Sequence, residues 1–364
     1  MRVNSILIIK TGALGDVLRT TSILVGLHEK YPDVMITWLT AASAVPLVNR
    51  HRMIHRVVTC DVKDPQSIKN VAADLAGVTW DWILSLDDEL PLCQLCSELP
   101  SAKVSGAYLD QKGERVYSDD VEPWFGMGLL SRSGKAAADQ RKIDNERTHP
   151  EIFASMLEIP EGRPELPLPM ESVAAAQAFA SDHGLDRDTL VVGLNTGAGG
   201  RWTSKGLPVD RVIAFAGALT TALDQQVVFL VLGGPPEKDR NQEILAGING
   251  LGLAAKAIDG GSDNELPEFA SLLGLSDLLL TSDSLALHLG VAMNVSIVSF
   301  FAPTSAAEIE LYGLGKKVKS TSSDYCSYSK DADNSTITVE RLVAASLEVL
   351  AAKGTQRRLI PRPA

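Results

Sequence analysis

Short apolar segments alternate with segments of helical spacing along this 364-residue chain, and a proline-rich stretch interrupts the alternation once. A strand followed by a helix and another strand folds most readily into a parallel sheet covered by helices on both faces. Because single hydrophobic cores rarely grow beyond about 250–300 residues, the length favours more than one core. The sequence therefore predicts two α/β units.

The first series fills roughly the first 110 residues. Its predicted strands are Ile6–Ile9, Met35–Leu39, Arg56–Cys60, Trp82–Leu86 and Lys103–Gly106. Its predicted helices are Asp16–Lys30, Pro65–Leu75 and Glu89–Leu99. Residues 107–147 are polar and rich in glycine, so we predict a long loop there, and loops of this length are usually functional or mobile. Helical spacing resumes over Thr148–Leu157.

Four prolines between residues 160 and 169 indicate a linker, after which the second series begins. Its predicted strands are Leu190–Leu194, Val227–Leu232, Leu253–Ile258, Leu278–Thr281 and Val295–Phe300. Its predicted helices are Val209–Leu223, Lys238–Ala246, Leu266–Leu273, Ser284–Met293 and Val339–Ala352. We predict domains at residues 1–165 and 166–364, with ligands bound between them near the carboxyl ends of the strands.

Charge and hydropathy limit the partners. The net charge of −11 argues against non-specific binding of nucleic acid. The first apolar run, Ile6–Ile9, is too short for a secretory signal or a membrane span, and no run of about 18 apolar residues follows it. We therefore expect a cytoplasmic protein.

The cysteines and paired acids do not predict a metal site. The pair Cys93 and Cys96 lacks a second pair or a nearby histidine, so we predict buried structural thiols on a helix. The pair Asp186 and Asp188 lies in a polar stretch that is typical of a surface turn. The run 87–89 (Asp-Asp-Glu) follows a strand and suits a cation better, but no histidine or fourth carboxylate lies close in sequence.

The first motif that could carry chemistry, residues 10–17, directly follows the first predicted strand. Gly12 and Gly15 allow a tight backbone turn. The loop is not a dinucleotide fingerprint, because Gly-x-Gly-x-x-Gly is absent. Asp16 opens a predicted helix, where it serves either as a helix cap or as a general base facing the cleft between the domains.

The second motif, residues 195–205, follows the first strand of the second series. Its glycines, hydroxyls and two cations suit a diphosphate, which Thr196 and the N–H groups around Gly197 can bind while Lys205 or Arg201 neutralises charge. The order Gly-Lys-Ser/Thr of a Walker A loop is absent. The alternative is a flexible glycine loop without a ligand.

Two further motifs also follow predicted strands. Asp283 and Ser284 are residue types that cap helices, and His288 lies about one turn further along. A helix start at this place favours an anion, although His288 could equally be a packing histidine. Glu237, after two glycines and two prolines, could accept hydrogen bonds from ribose hydroxyls or simply begin a helix.

These four motifs, in this order, resemble glycosyltransferase family 9, the ADP-heptose:lipopolysaccharide heptosyltransferases, over roughly residues 1–352. The segment 300–304 adds to the resemblance. It implies a GT-B fold, in which two Rossmann-like domains face each other across a cleft. The first domain would bind mainly the acceptor and the second mainly the nucleotide-sugar. It also implies direct displacement with inversion at the anomeric carbon, without a metal or another cofactor.

The resemblance gives roles to individual residues. Asp16 would be the catalytic base, and Lys205 would contact the diphosphate. The remaining donor-site contacts would be Thr196 and Ser284 to phosphate, Glu237 to ribose and Asp283 to sugar hydroxyls, with His288 in the same segment.

One departure from the family keeps alternatives open. Leu285 stands where the family pattern Asp-Thr-Gly has glycine, and it cannot allow the same close backbone approach. A diverged, non-catalytic nucleotide-sugar binding protein and a GT-B-fold sugar-nucleotide epimerase are therefore alternatives. The missing Gly-x-Gly-x-x-Gly argues against a dehydrogenase.

Basic residues in this acidic chain suggest an acceptor. They form two groups, which are Arg50, Arg52 and Arg56, and Arg132, Lys135, Arg141, Lys142 and Arg147. One interpretation is ordinary solvated surface. The other is that some of them, with Arg141 and Lys142 as the candidates, bind an anionic glycan or lipid-linked acceptor, which could bring the protein to a membrane surface.

Overall fold

A computed structural model of the chain describes residues 3–197, 199, 202–352 and 359–362. It divides into two compact units, Met1–Pro167 and Leu168–Ala364, here called the N-terminal and C-terminal units. Each unit is built around a six-stranded sheet with helices on both sides. The predicted fold class, two Rossmann-like α/β halves, is confirmed.

The sheet of the N-terminal unit has the strand order β3-β2-β1-β4-β5-β6. The first five strands are parallel, and the sixth is antiparallel to β5. Side chains of Ile6–Ile9 in β1 are fully buried, as expected for a central strand covered on both faces. The strands are β1 (Ser5–Ile9), β2 (Met35–Thr40), β3 (Arg56–Thr59), β4 (Trp82–Ser85), β5 (Val104–Leu109) and β6 (Arg115–Tyr117).

Helices cover this sheet, and one predicted helix is divided. The stretch predicted as Asp16–Lys30 forms two helices, because the hydroxyl of Thr21 donates to the carbonyl of Leu18 (2.7 Å) and competes with the helical pattern. The helices are α1 (Leu14–Thr20), α2 (Ile23–Lys30), α3 (Val45–Val48), α4 (Pro65–Leu75), α5 (Leu90–Glu98), α6 (Glu122–Phe125), α7 (Lys135–Asp144) and α8 (His149–Leu157).

The prediction of a long loop over residues 107–147 was wrong. Strand β6 pairs with β5, and α6 and α7 follow it. Helix α7 is polar on nearly every side and is supported by pairs four residues apart, such as Gln140 with Asp144 (2.8 Å). A helix of this kind has no apolar stripe, so hydrophobic periodicity could not predict it.

The predicted structural roles of the cysteines and of Asp186 are confirmed. All four cysteines are buried and free. Burial raises the pKa of the Cys96 thiol to about 12, so it is inert at neutral pH. The carboxylate of Asp186 accepts hydrogen bonds from the backbone of Asp188 (3.0 Å) and Thr189 (2.8 Å), which makes this pair of acids a turn.

The sheet of the C-terminal unit has the strand order β12-β11-β10-β7-β8-β9, and every strand is parallel to its neighbours. Counted from the first strand of each unit, the order is the same in both. The strands are β7 (Leu190–Asn195), β8 (Val227–Val231), β9 (Ala255–Asp259), β10 (Leu278–Ser282), β11 (Ser296–Phe301) and β12 (Gly315–Lys319). Strand β12 was not predicted, because three of its five residues are lysines.

The helices of this unit are α9 (Met170–Asp182), α10 (Val209–Leu223), α11 (Lys238–Asn249), α12 (Leu266–Leu273), α13 (Leu285–Ala292) and α14 (Val339–Ala352). The last five of them agree with the predicted ones to within a few residues, whereas α9 was not predicted. Among the described residues, the segment Thr203–Leu223 is long and apolar enough to cross a membrane. Its residues Val212, Phe215 and Leu219 are nevertheless buried in the hydrophobic core, so it is a core helix preceded by a short turn.

The described end of the chain folds back onto the C-terminal unit. Arg362 is buried, and its guanidinium donates to the Asp277 carboxylate (2.5 Å) and to the Thr189 carbonyl (2.6 Å). Ile360 is also buried and packs close to Gly274. Ile360 and Arg362 therefore belong to the folded core of this unit, whereas Leu359 and Pro361 face outward.

Candidate donor and catalytic sites

Three predicted motifs of the C-terminal unit meet at one edge of its sheet. They are the loop after β7, the turn after β8 and the start of α13 after β10. Strands β10, β7 and β8 are parallel neighbours in that order. Their carboxyl ends therefore lie side by side, where ligands bind in open α/β sheets.

An ion pair joins two of these motifs. The ammonium of Lys205 donates to the Asp283 carboxylate and to the Asp283 backbone carbonyl, both at 2.9 Å. Burial alone would raise the pKa of Asp283, but the charges of Lys205 and His288 outweigh it and hold that pKa below its usual range. Asp283 is thus an anion that keeps Lys205 at the strand ends.

Hydroxyl groups lie beside this ion pair. Ser284, at the N-cap of α13, shares a hydrogen bond with Thr281 (3.2 Å) and lies 3.5 Å from the side-chain oxygen of Asn195. Ser282 donates to the carbonyl of Gly197 (3.3 Å). His288 is buried in the first turns of α13. The predicted residues of both motifs are therefore close to one another.

Glu237 braces the glycine loop, a role that the sequence did not predict. Its carboxylate accepts hydrogen bonds from the N–H groups of Gly199 (3.2 Å) and Gly234 (2.8 Å). A Cβ atom at Gly197 would lie only 1.7 Å from a carboxylate oxygen of Glu237. A side chain at 197 would therefore displace the carboxylate of Glu237 from its place against the loop. Arg201, the second predicted cation of the loop, lies outside the described residues.

Arg240 in α11 also contacts the loop, and sequence reasoning missed it. One of its terminal nitrogens, Nη2, donates to the Thr196 hydroxyl (3.0 Å), the Thr196 carbonyl (3.3 Å) and the Leu207 carbonyl (2.7 Å). Burial lowers the pKa of Arg240, and the nearby charge of Glu237 partly offsets that effect. A basic residue inside a polar helix carries no motif, so only the fold could reveal this contact.

A later stretch of the chain holds the same loop from another side. The amide of Ser204 donates to the Lys330 carbonyl (3.3 Å), and its hydroxyl donates to the Ser329 carbonyl (3.1 Å). The side chain of Asn334 donates to the carbonyl of Gly206 (2.8 Å). The described end of the loop, at Ser204 and Gly206, is therefore held by a stretch distant in sequence.

In the N-terminal unit, Asp16 is not a helix cap. Helix α1 begins at Leu14 with Ala13 at the N-cap, which places Asp16 at its third residue. The carboxylate of Asp16 pairs with Arg19 (2.8 Å), and the side chain remains 38% exposed. The guanidinium of Arg19 lies over the Trp124 ring, 5.2 Å from its centroid. Asp16 is thus an oriented and accessible carboxylate.

The loop before Asp16 is held by Asp87. Its carboxylate forms an ion pair with Lys10 and accepts hydrogen bonds from the amide (2.5 Å) and hydroxyl (2.7 Å) of Thr11. Asp87 therefore serves the structure of the loop. In the described part of the chain, no group of three or more His, Cys, Asp or Glu side chains could hold a metal ion.

The two predicted glycines of this loop differ from expectation. Gly15 is the second residue of α1 and is buried, so it does not form the predicted turn. Gly12 lies in the loop, and a Cβ atom there would meet nothing within 4 Å. Crowding therefore does not require glycine at residue 12.

Most of the basic residues between 132 and 147 have acidic partners. Arg141 pairs with Glu122 (2.6 Å), and Lys142 lies 3.7 Å from Asp139. Arg132 pairs with Asp119 (2.5 Å), and Lys135 pairs with Asp139. The local field around this group is consequently weaker than the sequence suggested.

Comparisons with known proteins agree on one family. The model of glycosyltransferase family 9 (heptosyltransferase) matches residues 124–338. Lipopolysaccharide heptosyltransferase 1 of Pseudomonas aeruginosa is 23% identical over 327 residues, which cover 85% of this chain and 81% of that protein.

Solved structures show the same fold. A glycosyl transferase family 9 protein from Veillonella parvula superposes with a TM-score of 0.74 at 19% identity, covering 97% of this chain and 99% of that one. E. coli ADP-heptose lps heptosyltransferase II gives a TM-score of 0.66 at 16% identity, covering 95% and 98%. The fold is therefore GT-B, as the motifs implied. Because the family match extends over more than half of the sequence, the chain belongs to glycosyltransferase family 9 and is a heptosyltransferase-like glycosyltransferase.

Proposed function

We propose that the protein transfers a heptose or a related sugar from an ADP-sugar to a hydroxyl acceptor, with inversion. The observation that carries the proposal is the group of hydroxyls and one ammonium at the carboxyl ends of β10, β7 and β8. ADP-heptose as the donor is supported by the structural likeness to E. coli ADP-heptose lps heptosyltransferase II. The C-terminal unit would bind the donor, and the N-terminal unit would bind the acceptor.

The donor side stabilises the leaving group. An ammonium has three N–H donors, and Lys205 uses two of them on Asp283, so one remains for a phosphate oxygen. The hydroxyls of Thr196 and Ser284 would bind further oxygens. Donors that are already in place where charge develops lower the barrier without reorganisation. Asp283 would bind sugar hydroxyls, Glu237 would bind the ribose, and His288 would help hold Asp283 as an anion.

The acceptor side supplies a base. Asp16 would take the proton of the acceptor hydroxyl as that oxygen forms a bond to the anomeric carbon. The bond from the anomeric carbon to the diphosphate oxygen breaks in the same step, and its electron pair leaves with ADP. Arg19 orients the carboxylate. The reaction needs no further co-reactant, and we place it in the cytoplasm.

The proposal is tested by Asp16→Asn. Removing the base should reduce turnover by roughly 10²–10⁴ and leave ADP binding intact, since the donor site lies in the other unit. Turnover is measured as ADP release from ADP-heptose with a lipopolysaccharide-core acceptor. Asp74→Asn is the matched control, because it breaks an exposed Asp–Arg pair in the same unit. If Asp16→Asn keeps more than half of the activity, Asp16 is not the base.

An anionic acceptor near Arg141 and Lys142 remains part of the proposal. Both side chains have acidic neighbours, so we expect them to contribute through a screened, modest attraction. Charge reversal of both should raise the acceptor KM several-fold at low salt and leave the donor KM unchanged. If the acceptor KM is unchanged both by the charge reversal and by added salt, the acceptor is neutral.

A further inference from the structure

We infer that Arg240 is a positioning residue, which holds together Thr196 and Leu207, the two ends of the segment here called the donor loop. The inference rests on the donor site proposed above. Arg240 lies in α11, and its proposed role is exerted through Thr196 and not through contact with the sugar.

One nitrogen atom of Arg240 donates hydrogen bonds to both ends of the loop. Nη2 of Arg240 donates to the hydroxyl and carbonyl of Thr196, where the loop begins, and to the carbonyl of Leu207, where it ends. The amide of Leu207 also donates to the Thr196 carbonyl (2.9 Å). Bringing the two ends of a loop together costs conformational entropy, and these bonds offset that cost before a ligand arrives.

Burial of the Arg240 guanidinium is energetically unfavourable. Its atom Nη1 is buried and has no hydrogen-bond partner among the described residues. A buried donor without a partner destabilises a fold. Unliganded stability alone therefore does not explain an arginine at this position.

Glu237 provides the matching negative charge. It lies three residues before Arg240, and its charge counteracts the lowering of the Arg240 pKa. Its carboxylate holds the amide of Gly199 in the same loop. The start of α11 therefore holds the loop with one cation and one anion. The Thr196 hydroxyl, which accepts from Arg240, is left with its own O–H to donate to a phosphate oxygen.

The test compares Arg240→Gln with Arg341→Gln. Arg341 also donates to backbone carbonyls in the C-terminal unit, those of Thr336 and Lys319, and within the described residues it makes no hydrogen bond to the donor loop. We expect Arg240→Gln to raise the Kd for ADP about tenfold, since hydrogen bonds from charged groups are worth about 1.5 kcal/mol or more. Arg341→Gln should leave the Kd within twofold. Calorimetry measures Kd, and thermal unfolding checks the fold.

Hydrogen exchange gives a second readout that separates positioning from general stability. The Leu207 amide should exchange faster in Arg240→Gln than in Arg341→Gln at matched thermal stability. The Kd effects of Thr196→Val and Arg240→Gln should also be less than additive, because one acts through the other. Equal exchange in the two arginine variants, or full additivity, would overturn the inference.

Two further variants keep the outcome clear. If Arg240→Gln does not fold, Thr196→Val removes one hydroxyl only, and faster exchange at Leu207 is still required. Lys205→Met tests the donor site itself. Weaker ADP binding in Lys205→Met with unchanged binding in Arg240→Gln would reject the role of Arg240 alone. Unchanged binding in both would reject the proposed donor site.

Discussion

The two units carry the same ion pair at the same place in the same topology. In the N-terminal unit, Lys10 after β1 pairs with Asp87 after β4. In the C-terminal unit, Lys205 follows β7 and pairs with Asp283 after β10. Both pairs connect the loop after the first strand of a unit to the end of the parallel strand beside it.

The surroundings of the two pairs differ. The side chains of Lys10 and Asp87 are 13% and 5% exposed, and Asp87 also binds the amide and hydroxyl of Thr11. Those of Lys205 and Asp283 are 22% and 18% exposed. The topology determines where such a pair forms, whereas its other partners determine whether it is structural or able to respond to a ligand.

The largest effect is expected from Lys10→Met. This change leaves the buried carboxylate of Asp87 without its cation, and removing one partner of a buried pair costs about 3–5 kcal/mol. Urea unfolding of the variant measures this loss. Lys205→Met should lose clearly less stability, because its pair is more exposed. Equal losses in the two variants would contradict the comparison.

An intermediate effect is expected on ligand affinity. Lys205→Met should raise the Kd for ADP about 10- to 100-fold, because a hydrogen bond from a charged group contributes about 1.5–3 kcal/mol. Lys10→Met should leave this Kd unchanged as long as the C-terminal unit is folded. Calorimetry on both variants measures these Kd values. An equal loss of ADP affinity in the two variants would contradict the comparison.

The smallest effect is expected in acid. The pKa of Asp283 is lowered in the folded state, so its contribution to stability is present above the unfolded value of about 3.9. That contribution is lost as the pH falls through the folded value. In Asp283→Asn the free energy of unfolding should therefore fall less steeply between about pH 5 and pH 3. A series of urea titrations across this range measures how the free energy of unfolding changes with pH. An unchanged slope in Asp283→Asn would show that the neighbours of Asp283 do not lower its pKa.

Much of the fold could be predicted from local pattern. Central strands such as β1 are apolar on both faces, so they stand out as runs, and α10 combines an apolar stripe with clear ends. Strand β12 could not be predicted, since only Val318 among its residues is buried. Helix α7 could not be predicted either, because it has no apolar stripe that hydrophobic periodicity would reveal.

The candidate site was predictable where a motif followed a strand. The proximity of Lys205, Asp283 and Ser284 could be predicted in this way, because parallel strands bring their carboxyl ends to one edge. The contacts that Arg240 and Glu237 make with the loop could not be predicted, because they join elements distant in sequence. Such contacts have no local signature.

The buried Arg362 has a practical consequence for anyone who handles the protein. Its guanidinium donates a hydrogen bond to the Asp277 carboxylate. That carboxylate also accepts a hydrogen bond from the amide of Val191 at the start of β7. A shortened form that stops before Ile360 would remove the cation from that buried carboxylate. Affinity tags, fluorescent fusions and protease sites are therefore better placed away from Ile360 and Arg362, because trimming there would loosen the first strand of the C-terminal unit.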